Sequence, residues 1–167
     1  MSNFKDIKSE IEKYANDSNL TEVQIVEKLK KHYFDKKVNE NLKLYKKGKK
    51  LVLRAKKQEE KNKTEKAQEL YLKAYKIFEK AYEKNKKNPD ILNYLGFTLR
   101  KTGNLEKAEM YYLKGLEFDA SHLGINEYLG ELYVQTNRID LAKKRLNVLQ
   151  GCKCEEYQEL KELIENN

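Results

Sequence analysis

The chain has 167 residues, with 35 Lys/Arg against 27 Asp/Glu and a formal net charge of +8. That length suits one domain burying about 70 per cent of its unfolded surface, and a hydrophobic content of 39 per cent suits an elongated stack better than a compact globule. No run of about 18 apolar residues exists, so a transmembrane helix is excluded. One Pro and seven Gly among abundant Lys, Glu and Leu predict an all-α chain. The opening Met1-Ser2-Asn3-Phe4-Lys5-Asp6 carries neither an apolar leader core nor a cleavage site. A cytoplasmic location is therefore expected, or a periplasmic one if a leader has been trimmed.

In chain order, residues 4–15 predict a short amphipathic helix with Phe4, Ile7, Ile11 and Tyr14 on one stripe. Asn16-Asp17-Ser18-Asn19 predicts a break, and Thr21 with Gln24 three residues later is a capping-box start. A second helix over 22–34 shows Val23, Val26, Leu29 and Tyr33 at helical spacing. Residues 1–38 then form an N-terminal helical unit, either a cap on the repeats or an arm, ahead of a repeat domain over 39–167. The first hairpin, 39–87, predicts helices near 39–61 and 65–86 with Asn62-Lys63-Thr64 as its turn. Its wholly polar tip, Lys56 to Lys61, is expected to project into solvent.

Asn88-Pro89-Asp90 opens the second hairpin, 88–122, because Pro is tolerated in a helix's first turn. Its helices are predicted over 90–102 and 105–118, the first closed by Gly103. The third hairpin, 123–151, predicts helices near 123–136 and 138–150. A capping helix over 155–165 places Tyr157, Leu160, Leu163 and Ile164 on one face.

A repeat underlies this order. Ala74, Ala108 and Ala142 lie 34 residues apart, in register with Phe78, Tyr112 and Leu146, then with Ala81, Gly115 and Leu149. Tyr94-Leu95-Gly96 recurs at the same spacing as Tyr128-Leu129-Gly130. A fixed period of this length signals an array of helical hairpins. Gly48 precedes Gly96 by 48 residues, or 34 plus 14, and seven extra residues per arm is close to two helical turns. The first hairpin is thus an elongated copy whose apolar stripes still face inward.

On these residues the chain resembles the tetratricopeptide repeat family, a superhelical stack of helix-turn-helix units. In 89–122, Leu92, Leu95, Gly96, Leu99, Gly103, Ala108, Tyr112 and Gly115 match the family pattern, with Ala120 where Pro is usual. The next copy keeps Leu129, Gly130, Tyr133, Ala142 and Leu146 but has Asn126 at the usual Trp position and Asn137 for Gly. The tail Cys154 to Leu160 resembles one found in some small bacterial members. The resemblance implies a TPR-like α-solenoid of about three hairpins, and a non-catalytic adaptor or scaffold whose concave groove holds a peptide or helical segment of another protein. The carboxylate clamp that some members use is not reproduced, since Glu131 stands where Asn would be wanted.

Helical geometry picks the groove candidates. Asn93, Tyr94, Phe97, Arg100 and Lys101 lie on or beside the face opposite the packing stripe of their helix, and Glu127, Tyr128, Glu131 and Val134 do so in the next repeat. One segment reads as basic and its neighbour as acidic, with Phe97 as an outward apolar anchor. The alternative function uses charge. Residues 36–57 hold ten Lys/Arg against the single acid Glu40. Lys43, Lys46, Lys47, Lys50 and Arg54 on that helix are the candidates for holding nucleic acid or an anionic membrane. Against this stands the scarcity of Arg, only four of the 35 basic residues, since Lys is poor at bidentate phosphate recognition.

Catalysis has little support. His32 and His122 have no metal-like spacing to other ligands, and every Gly is accounted for by packing or a cap. No metal or cofactor is expected. Cys152 and Cys154 are too few for structural zinc, and a bridge across one residue is disfavoured. One buried and one exposed thiol is the expectation, with a redox pair or an intermolecular disulfide as alternatives. The apolar ends of a three-hairpin array make a homodimer through the terminal helices a further expectation.

Overall fold

The computed structural model describes residues 2–15 and 19–167. Its helices are α1 (Ser2–Ala15), α2 (Glu22–Glu59), α3 (Thr64–Lys84), α4 (Pro89–Lys101), α5 (Leu105–Phe118), α6 (Leu123–Gln135), α7 (Ile139–Leu149) and α8 (Glu155–Glu165). The predicted break at Asn16-Asp17-Ser18 and the side chains of Phe4 and Ile7 in the predicted stripe lie outside the described residues. The chain divides into two compact units, 1–42 and 43–167, with the division inside α2.

α2 is a correction to the sequence reading. Two helices, 22–34 and 39–61, were expected, and one 38-residue helix is found. The physical reason is local: Asp35-Lys36-Lys37-Val38 contains no Gly, Pro or capping signal that would stop a helix. Its start is as expected, with the Thr21 N–H donating to Gln24 Oε1 at 2.8 Å and the Gln24 N–H returning to Thr21 Oγ1 at 3.4 Å. In the first unit, α1 meets the early part of α2 where Glu10 lies 3.9 Å from His32 and Lys28 sits over the Tyr14 ring.

In the second unit, α3 to α8 pack as sequential neighbours, α6 also touching α4 and α8. Their ends follow the predicted signals. Asn88 Oδ1 accepts the Ile91 N–H at 3.1 Å, with Pro89 in the first turn of α4. Gly103 closes α4 at φ +85°, and Asn137 does the same after α6 at φ +56°. Asn is among the few side-chain-bearing residues that tolerate this left-handed conformation, so the Gly-to-Asn departure in the third hairpin preserves the turn.

The two extra turns are present. α3 begins ten residues before Ala74, whereas α5 begins three before the equivalent Ala108. Close approach depends on glycine at the repeated positions. A Cβ at Gly48 would lie 2.5 Å from the Phe78 ring, and one at Gly96 would lie 2.5 Å from Tyr112. In the third hairpin, the side chain against Gly130 is Leu160 of α8. The ring of the earlier repeats is replaced there by the smaller Leu146, and fully buried Leu160 covers the glycine instead.

The core runs in two clusters. Val52, Ala55, Tyr71, Phe78 and Leu95 anchor one, and Tyr112, Ile125, Leu129, Leu132 and Ala142 the other. The cysteines are a second correction. Cys152 and Cys154 are joined as a disulfide between α7 and α8, both partly exposed. The α7–α8 turn brings their Cα atoms to 5.1 Å, within disulfide reach.

Candidate protein-interaction groove

The first helices of the three hairpins, α2, α4 and α6, carry the groove candidates. An open cleft of about 430 Å³ is lined by Tyr45 and Lys49 of α2, Asp90, Asn93 and Tyr94 of α4, His122, Leu123, Gly124, Glu127 and Tyr128 at the start of α6, and Glu156 of α8. Its aromatic wall is built from the core outward. Tyr94 stacks on buried Phe78 at 4.9 Å, and Tyr45 meets Tyr94 edge-on at 5.7 Å. Lys49 lies over both tyrosine rings, at 5.5 and 5.8 Å, a favourable placement for a cation.

Polar contacts fix the cleft floor. His122 Nδ1 accepts the Ile125 N–H at 3.2 Å and so caps α6. The proton of the neutral ring is therefore on Nε2, which points at Asp90 Oδ1 3.5 Å away. Tyr45 donates to the same oxygen at 3.5 Å. Hydrogen bonding from His122 is the main cause holding the Asp90 carboxyl below its ordinary range, with Tyr45 and Lys49 adding to it against partial burial.

Of the nine predicted groove residues, Asn93, Tyr94, Glu127 and Tyr128 come together in this cleft. The other five lie outside this cleft, and two of them, Phe97 and Val134, are buried instead of holding the outward face expected of them. Phe97 is 2 % exposed and Val134 5 %. The Phe97 ring is held between Tyr71 at 5.7 Å and Tyr128 at 4.8 Å, with the Lys56 ammonium 5.3 Å above it. Arg100 and Glu131, read as opposite charges awaiting a ligand, face one another from α4 and α6 and pair at 2.6 Å. Lys101 pairs with Glu59 at 2.8 Å, and Tyr71 donates to the other oxygen of that carboxylate at 2.8 Å. The predicted solvent-projecting tip is thus tied down through Lys56 and Glu59.

Glu127, Glu131 and Glu159 form a carboxylate cluster with oxygens within 4.8 Å. Burial is the main cause pushing the Glu127 carboxyl up to about 9, aided by its hydrogen bond with Glu159 and by the neighbouring acids. Burial thus favours the protonated form of Glu127, and the Arg100 guanidinium pairs with the Glu131 carboxylate. The basic candidates Lys43, Lys46, Lys47, Lys50 and Arg54 are all exposed on α2.

Sequence reasoning missed Tyr45, Lys49, Asp90, His122 and Glu156 as cleft residues. A signal existed for two of them. Setting Gly48 on Gly96 places Tyr45 at the Asn93 position and Lys49 at the Phe97 position.

Comparison with known proteins agrees with this architecture. A tetratricopeptide repeat family profile matches residues 77–110. No curated protein matches the chain. The Yersinia enterocolitica type III secretion translocator chaperone SycD superposes with a TM-score of 0.52 at 17% identity, covering 71% of this chain and 81% of that one. The same chaperone in complex with a peptide of the translocator YopD gives 0.50 at 19% identity, over 71% and 86%. A tetratricopeptide repeat protein from Parabacteroides merdae gives 0.51 at 17%, over 71% and 59%. With its 34-residue period, its glycine-seated rings and its all-helical stack, the chain has the fold of a tetratricopeptide repeat protein and carries a match to that repeat over residues 77–110.

Proposed function

We propose that the chain is a non-catalytic interaction module that holds a segment of another protein in the cleft between α2, α4 and α6. The observation that carries this reading is the cleft itself: about 430 Å³, open, and walled by Tyr45, Tyr94 and Tyr128 beside the charges of Lys49, Asp90 and Glu156. Aromatic side chains bearing a polar tip, next to fixed charges, suit a partner that brings both apolar and polar groups. The similarly folded SycD is known in complex with a peptide of YopD, which supports the reading by analogy of fold. The partner segment docks at the end of the groove where α4, α6 and α8 begin, because the opposite end is filled by Phe97 and its neighbours. Affinity in the micromolar range, about −8 kcal/mol, suits a site this small.

Site-specific photocrosslinking in the native host tests the proposal. A photoreactive residue in place of Lys49 or Glu156 is expected to capture a protein partner covalently. The same residue in place of Lys46, on the outer face of α2, is expected not to capture it. Equal capture at all three positions, or none at Lys49 and Glu156, would contradict the groove assignment.

A further inference from the structure

The outer face of α2 carries a feature that the groove does not use. At 100° per residue, Lys43, Lys46, Lys47, Lys50, Arg54 and Lys57 fall within an arc of roughly 100°, and all six are exposed. The stripe spans about 21 Å along the helix axis at 1.5 Å per residue. The one acid between 43 and 59 is Glu59, which faces the other way onto Tyr71 and Lys101. Lys49 and Lys56 leave the stripe for the Tyr45, Tyr94, Phe97 and Tyr128 rings. Compositional bias towards Lys does not explain this sorting. On α3 of the same unit, exposed Lys66, Lys73, Lys76 and Lys80 alternate with Glu65, Glu69, Glu79 and Glu83, and Lys73 pairs with Glu69 at 3.5 Å.

We infer that this stripe is a docking surface for the phosphate backbone of double-stranded nucleic acid, bound without sequence preference. Charge and spacing carry the assignment. A duplex presents about six phosphates per strand over roughly 21 Å of axis, and the stripe presents six cations on a rigid helix. Lysine supplies point charges rather than bidentate forks, which suits backbone contact rather than base reading. No aromatic ring lies on the stripe to stack unpaired bases, which disfavours a single strand. Val52 and Ala55 of this part of α2 are committed to the core, and the exposed apolar side chains Leu42 and Leu53 lie eleven residues apart, too few for the continuous apolar face that enters a lipid surface.

Fluorescence anisotropy of the full chain with a labelled mixed-sequence DNA duplex of about two helical turns tests the inference. With six phosphates neutralised, log Kobs should fall against log salt with a slope of about −5, and binding should weaken about a thousandfold between about 50 and 200 mM salt. The triple variant Lys46→Gln, Lys50→Gln, Arg54→Gln should reduce the slope to about −3. A matched triple on α3, Lys66→Gln, Lys73→Gln, Lys76→Gln, should leave the slope unchanged, with circular dichroism reporting helicity for both. The inference is overturned by no binding at about 50 mM salt with protein at about 100 μM, or by equal slopes for the two triples. Tighter binding of a single strand, or retention on phosphatidylserine vesicles without binding to the duplex, would also overturn it.

Discussion

The first and second hairpins use the same packing device and differ in what their tips do. Both seat an aromatic ring on a helix glycine, Phe78 on Gly48 and Tyr112 on Gly96. The second hairpin stops five residues past its glycine, while α2 continues for eleven. Those added turns bring Lys56 and Glu59 beside α4, where together with Tyr71 they enclose Phe97 and tie Lys101. An insertion that keeps the inward stripes in phase can therefore change a neighbouring repeat's surface without disturbing the stack. Here it closes one end of the groove and leaves the end at Tyr45, Lys49 and His122 open.

The largest expected effect tests that enclosure. Phe97→Ala should cost about 3–5 kcal/mol in denaturant unfolding, as for a fully packed ring; a loss within about 0.5 kcal/mol would mean an exposed side chain. The shared device is tested by Gly48→Ala and Gly96→Ala, each expected to cost about 1–3 kcal/mol through overpacking. A clear inequality between them would show that the two hairpins do not pack alike. Tyr71→Phe removes a hydrogen bond that only the elongated hairpin has, and about 1 kcal/mol should follow because Glu59 keeps Lys101 as a partner.

A separate test uses pH. Glu127 has its folded carboxyl raised from 4.5 to about 9, chiefly by burial. The folded state thus holds a proton that the unfolded state has lost, and this contribution is full below about 4.5 and vanishes as pH rises through about 9. Thermal melts of Glu127→Gln should show a shallower fall in stability than the parent over that window. Parallel curves would contradict a protonated Glu127.

Much of the fold was legible because its determinants are local and periodic. Ala74, Ala108 and Ala142 announce the 34-residue repeat, and Asn88-Pro89 and Gly103 mark helix ends by their own backbone chemistry. The replacement of the usual Trp by Asn126 was visible too, but not its consequence. Fully buried Asn126 donates to the Ala120 and His122 carbonyls and accepts from Arg145. The site was less legible. Helical phase alone puts Phe97 outward, and only a neighbouring element, the tip 41 residues earlier at Lys56, decides whether an outward face meets water. The Arg100–Glu131 pair likewise depends on the approach of α4 to α6. The division expected in α2 followed the start of the first hairpin at 39, whereas Asp35 to Val38 carry no Gly or Pro to stop the helix.

Solvent paramagnetic relaxation of assigned aromatic protons tests the enclosure of Phe97 most directly. The ring protons of Phe97 should be as shielded from a soluble paramagnetic probe as those of fully buried Phe78. Relaxation matching that of Phe118, which is 42% exposed, would contradict the claim that the elongated hairpin closes that end of the groove.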